Sequence, residues 1–236
     1  MKSNTITPIT VAALTALAFA VPCSAATLAT YDIETNGAVA DATNAADMTA
    51  STLDASSADG TSTNFEWVGT RVPFWQRGNT GELNKGTDPG IADIILTWNL
   101  TPDAGNQIVI LTTDALSYGV LAQTSSVTLY EVTTRVFVAS DAAFTNILAT
   151  STTLSDIGNG GTSPTLGSVN FDQLISSADT LYFGLAALDN NEATGTPDAR
   201  VDGITVTGTV SSIPEPSTGL LVAFAASTSL LRRRRA

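Results

Sequence analysis

The pattern that most limits the fold is a succession of short runs, mostly β-branched or aromatic and closed by Gly, Asn, Asp or Pro. Ten of them read as strands: residues 27–33, 48–53, 65–69, 91–100, 106–113, 126–140, 147–154, 166–171, 180–188 and 199–210. A helical protein would instead repeat apolar positions every three or four residues over longer segments. Only 171–179, with Asp172 near its start, reads as a helical turn. "VTLYEVTTRVFV" sets Val127, Leu129 and Glu131 against Thr128, Tyr130 and Val132, so neither face is cleanly apolar. A bend or bulge near Thr133 and Thr134 would account for that. No repeat recurs at a fixed period, which argues against a solenoid or propeller. The expected fold is all-β: an antiparallel β-sandwich, a jelly roll ahead of an immunoglobulin-like sandwich.

Two absences bound the chemistry. The chain has no histidine and one cysteine, Cys23. A Ser–His–Asp or Cys–His site cannot be built, nor a zinc site of His or Cys ligands, nor a disulfide within the chain. The charge balance bounds the partners. There are 10 basic and 22 acidic residues, and the only basic cluster is Arg232, Arg233, Arg234 and Arg235. Nucleic-acid binding needs clustered Lys and Arg facing phosphates, so no nucleic-acid partner is expected.

The ends of the chain read as addresses. At the N-terminus Lys2 precedes an almost wholly apolar stretch, 11–21, and then Pro22-Cys23-Ser24-Ala25-Ala26. Positive, apolar and small-residue regions in that order form a secretory signal peptide, here 1–25. Cys23 could also be a lipid-modified cysteine, although Pro22 stands where such a site normally has Gly, Ala or Ser. At the other end, 219–231 carries no charge and as a helix spans about 20 Å. A hydrocarbon core is about 30 Å thick, so this is a short transmembrane helix. The arginines after it hold the C-terminus in the cytoplasm and leave the preceding domain outside.

Pro214-Glu215-Pro216, a short apolar segment and four terminal arginines together resemble the PEP-CTERM sorting signal. The resemblance covers 213–236, about a tenth of the chain. It implies an exported bacterial protein that is held transiently at the membrane and processed near the motif by an exosortase-type enzyme. It implies delivery to the cell surface or an extracellular polysaccharide matrix, and no particular activity.

The stretch between the ends, 26–212, is the right size for one β-sandwich domain. Setting aside Lys2, Glu215 and the terminal arginines leaves 5 basic and 21 acidic residues there, a net charge of −16. Such a charge favours solubility and could attract divalent cations.

Two local clusters could carry binding. "FEWVGTRVPFWQRGNTG" (65–81) mixes rings with arginines, a combination able to stack on sugars and bond their hydroxyls. Phe65 and Trp67 share one side of a strand and suit a core. Trp75, beside Pro73 and Gly78, reads as loop-borne, so Arg71, Phe74, Trp75 and Arg77 are the candidate carbohydrate contacts. Trp98, in an apolar run, is expected in the core. The second cluster runs from Asp189 through Asn190, Asn191, Glu192 and Asp198 to Asp202. Calcium takes six to eight oxygen ligands. The closing strand 199–210 also resembles that of carbohydrate-binding jelly rolls. That resemblance implies a calcium joining first and last strands, with Asp32, Glu34 and Asp202 as candidate ligands; an ordinary polar turn is the plainer reading.

The expected function is therefore a non-catalytic binding or structural module associated with polysaccharide outside the cell. The alternative is a secreted polysaccharide-acting enzyme with paired carboxylates, for which the sequence selects no pair.

Overall fold

The structure, a computed structural model, describes residues 25–32, 41–54, 72–76, 86–123, 130–158, 165–189 and 198–213. Within these the chain is all-β. Its first strands are β1 (Ala26–Asp32), β2 (Asp41–Asn44), β3 (Met48–Ala50), β4 (Val72–Gln76), β5 (Ile94–Pro102), β6 (Asn106–Ile110) and β7 (Leu116–Gln123). The remainder are β8 (Tyr130–Ala139), β9 (Ile147–Thr150), β10 (Leu154–Gly158), β11 (Thr165–Val169), β12 (Ile175–Ser177), β13 (Leu181–Asp189) and β14 (Asp198–Ser212). Among the described residues no helix is long and apolar enough to cross a membrane. Residues 1–24 and 214–236, with nearly all of the expected signal peptide and sorting tail, lie outside the described residues.

Two antiparallel sheets form. The first has the order β11-β7-β14-β1-β2, and β14 is its spine: β7 and then β6 pair along one edge of it, β4 and then β1 along the other. The second has the order β10-β8-β13-β5-β3, with β9 also on β8. Their facing residues share one core, an arrangement consistent with a β-sandwich. Strand alternation supplies it. In β13, Leu181, Phe183, Leu185 and Ala187 point inward; in β7, Leu116, Tyr118, Val120 and Ala122 do. Trp98 is buried as expected, stacked on Phe183 at 5.2 Å, with the Tyr31 ring 6.0 Å away across the sheets. Burying a large apolar side chain contributes about 1.5–3 kcal/mol, so this facing set is the main source of stability. One polar contact also crosses the core. The Thr134 hydroxyl donates to Leu154 O, which leaves the Tyr118 hydroxyl to donate to Thr134 Oγ1 at 2.9 Å. Burial pushes the Tyr118 phenol well above its ordinary pKa.

Several sequence expectations change. The bend near Thr133 and Thr134 is absent: β8 keeps unbroken register with β13 from Val132, opposite Asp189, to Ala139, opposite Tyr182. Its faces look mixed in sequence because both are covered. Val132, Val136 and Val138 join the core, while Phe137 and Ala139 pack outside it with Ile94, Phe144 and Ala186. Residues 91–93 form a 3-10 turn, held by the Gly90 N–H donating to the Asp93 carboxylate at 2.8 Å. Leu116–Gln123, unmarked in the sequence, is a strand, and 147–154 divides into β9 and the start of β10.

The expected helical turn at 171–179 is instead a bend leading into β12. Its polar groups are drawn to neighbouring strands. The Phe171 N–H donates to Thr112 O at 2.9 Å, the Asp172 carboxylate accepts from Thr150 N–H at 2.9 Å, and Ile175 to Ser177 pair with β6. This bend also joins the sheets. Ser151, between β9 and β10, bridges to Phe171, between β11 and β12, and the Thr152 N–H donates to Asn170 O at 2.7 Å.

Candidate functional site

The residues singled out in sequence fall in different places. Phe74 and Trp75 lie on β4, paired with β14, so their segment is a strand rather than the expected loop. Pro73 and Gly78 on either side make Trp75 read as loop-borne, but backbone pairing with a long central strand overrides such local signals. Arg71 and Arg77 lie outside the described residues. Asp32 ends β1 and Asp202 sits in β14; those strands pair, and Asp32 is in register with Asp41 of β2. Glu34 lies outside the described residues, as do Pro214, Glu215, Pro216 and the four terminal arginines. Among the described residues no three Asp, Glu, His or Cys side chains are grouped to hold a metal ion.

Sequence reasoning passed over the outer face of the second sheet. There, β5 and β13 set Asn99 directly opposite Tyr182 and Thr97 opposite Gly184. A bulge between Leu185 and Ala186 in that pairing shifts the alternation. Ile94 is thereby turned outward while Leu96, Trp98 and Leu100 stay in the core. The result is a half-buried polar strip, Thr97, Asn99 and Tyr182, flanked by apolar side chains.

Two walls rise beside this strip. The first is the segment 51–54, which extends the pairing of β3 along β5. The Ser51 N–H donates to Asn99 O at 2.9 Å and the Asn99 N–H to Ser51 Oγ at 2.9 Å; Asp54 and Thr97 exchange backbone bonds of 2.8 Å. The second wall is the turn 141–146. The Asp141 carboxylate accepts from the backbone N–H groups of Ala143 and Thr145, each at 3.1 Å, and of Asn146 at 2.8 Å. Those bonds, the one from Thr145 foremost, hold its pKa below the ordinary aspartate value. The turn places Phe144 at φ 54°, a conformation that a bulky side chain rarely takes. Its ring packs closely over residue 184 because that residue is glycine: a Cβ there would come within 2.8 Å of the ring.

Together these residues enclose a depression of about 310 Å³, lined by Ser51, Asp54, Thr97, Asn99, Phe144 and Tyr182 among others. Among the described residues the Thr97 hydroxyl, the Asn99 carboxamide and the Tyr182 hydroxyl make no hydrogen bond, so the floor keeps donors and acceptors on offer. The described lining has no cationic side chain and one carboxylate, that of Asp54.

A second depression, about 320 Å³, lies where the sheet edges meet, lined by Arg135, Thr150, Ser151, Thr152, Asn170, Phe171 and Asp172. Here the polar atoms bind one another. Ser151 Oγ accepts from Val136 N–H at 2.9 Å, Thr152 Oγ1 from Asn170 N–H at 3.1 Å, and Asn170 Oδ1 from Asp114 N–H at 3.0 Å. The Arg135 guanidinium forms an ion pair with Asp88. No protein-family model matches this chain, and no curated protein matches it.

Proposed function

We propose that this is an exported bacterial cell-surface or matrix protein. It acts as a non-catalytic binding or structural module associated with extracellular polysaccharide and is sorted through its C-terminal tail. The observation that carries the reading is the pairing of two addresses in one chain. A charged, apolar and small-residue leader stands at 1–25, and Pro214-Glu215-Pro216, an apolar helix and Arg232, Arg233, Arg234 and Arg235 stand at 213–236. An exosortase-type enzyme would recognise the proline–glutamate–proline segment while the arginines hold the helix end in the cytoplasm. Between the addresses, an acidic domain without histidine suits a soluble exterior part.

The finer fold within this reading is a jelly roll. Strand order supports it when β6–β7, β9–β10 and β11–β12 each count as one interrupted strand. Numbering the eight principal strands along the chain then gives first-eighth-third-sixth in one sheet and second-seventh-fourth-fifth in the other, with β2, β3 and β4 as additions. That interleaving is two Greek keys wrapped together. Phe74, Trp75, Arg71 and Arg77 are the sugar contacts that the sequence favours.

The test is made in the producing cell. Changing Glu215→Ala, or deleting the four terminal arginines, is expected to leave the protein unprocessed in the membrane fraction, while the unaltered chain appears outside and co-fractionates with matrix polysaccharide. Normal release of both variants would overturn the sorting reading.

A further inference from the structure

We infer that the depression between the segment 51–54 and the turn 141–146 is a subsite for a neutral saccharide. The inference rests on the polysaccharide association proposed above, and it adds a contact surface that no motif in the chain announces.

Three observations converge. The first is uncommitted polarity. Thr97, Asn99 and Tyr182 lie side by side on two paired strands, and among the described residues their side-chain polar atoms make no hydrogen bond. A hydroxyl, a carboxamide and a phenol can each both donate and accept, which matches a sugar ring's hydroxyls. The second is the company they keep. The half-buried Tyr182 ring borders the hollow, backed by the buried Phe144, so apolar ring surface adjoins the polar strip. Sugars present the same juxtaposition, hydroxyls around a ring whose faces are C–H. Phosphorylated and carboxylated ligands are disfavoured, because the described lining offers no cationic side chain.

The third is pre-organisation. Phe144 is held in left-handed backbone geometry by the carboxylate of Asp141, and its ring fits only over a glycine. Strained residues persist where their surroundings fix them, and they cluster at ligand clamps. A rigid wall set before the ligand arrives lowers the ordering cost of binding. At about 310 Å³ the hollow suits a short stretch of glycan.

The experiment is titration of the full chain in detergent with cellohexaose and laminarihexaose as neutral probes and oligogalacturonate as an anionic one, with purified matrix polysaccharide in parallel. A neutral probe is expected to bind more tightly than the anionic one. Tyr182→Ala and Asn99→Ala should each weaken it about tenfold or more, whereas Tyr182→Phe, which keeps the ring, should stay within about threefold. Asn99→Ala changes a half-buried surface side chain and serves if Tyr182→Ala fails to fold. Wild-type affinity in both alanine variants would overturn the subsite. If the matrix polysaccharide still bound, or if Trp75→Ala abolished binding, the polysaccharide reading would stand without it. No binding of any polysaccharide by the unaltered chain would overturn both.

Discussion

The two depressions are almost equal in volume, about 310 and 320 Å³, and both are lined largely by Ser, Thr, Asn and Asp. They differ in what those side chains are doing. At the joined sheet edges, Ser151, Thr152, Asn170 and Asp172 each accept a backbone N–H from a neighbouring segment. Beside Tyr182 the polar side chains on the floor are open. Composition alone cannot separate a seam from a binding surface; the hydrogen-bond ledger can. A buried N–H stripped of its acceptor costs about 1–3 kcal/mol, whereas an exposed group can fall back on water. The seam should therefore respond to mutation through stability and the open hollow through binding.

The largest expected effect is at the seam's apolar anchor. Phe171 is 4% exposed, packs in the shared core and donates its N–H to Thr112 O. Phe171→Ala should cost about 3–5 kcal/mol, read as a lower midpoint in urea unfolding. Next is Ser151→Ala, which leaves the buried Val136 N–H without the Ser151 acceptor; about 1–3 kcal/mol is expected by the same measurement. An unchanged midpoint in both variants would erase the distinction between the two hollows.

The seam also marks where sequence reading succeeded and where it ran out. Strands such as 180–188 are legible because a dense run of Leu, Phe, Tyr and Ala, bounded by polar residues, marks a strand even where both faces are covered. Leu116–Gln123 is not, since Ser117 and Gly119 dilute its β-branched content and only its place between β14 and β11 makes it a strand. The reading of 171–179 as a helical turn failed for a related reason. Asp172 resembles a helix cap, yet its acceptor serves Thr150 on another strand, a partner that no local pattern announces. Of the hollow beside Tyr182, only Trp98 on the opposite face was legible. Its members come from four separate segments, its shape depends on a bulge and a glycine, and its ring is positioned by a turn carboxylate. Aromatic density drew attention to 65–81 instead, because density can be read along a chain and cross-strand register cannot.

A smaller effect is expected at Asp141, whose carboxylate fixes the wall of the open hollow. Its folded pKa lies below the ordinary aspartate value, so the ionised form is favoured by folding. The stability it contributes is then fully present above the unfolded pKa, about 3.9, and is lost as pH falls through the folded value. Asp141→Ala should lower Tm modestly and by about the same margin between pH 5 and 8, and the gap to wild type should narrow as pH falls below the unfolded value. A gap that does not narrow at all on acidification would mean that the side chain acts through packing, not through its charge. The same variant frees Phe144 from its left-handed geometry, so saccharide affinity should fall more than stability does.

The smallest stability effect is expected at Asn99, and it is the sharpest test of the comparison. Its backbone N–H and C=O both bond Ser51, while β13 lies in register on its other side, and those bonds survive substitution. Its carboxamide bonds to nothing among the described residues, and asparagine is a poor strand former, so Asn99→Ala removes no internal partner. The unfolding free energy should stay within about 0.5 kcal/mol of wild type. A loss approaching that of Ser151→Ala would place Asn99 in the structural frame and make the two hollows alike. Unchanged stability combined with weaker glycan binding would separate them, because a side chain conserving nothing in the fold would then be acting only on what enters from solvent.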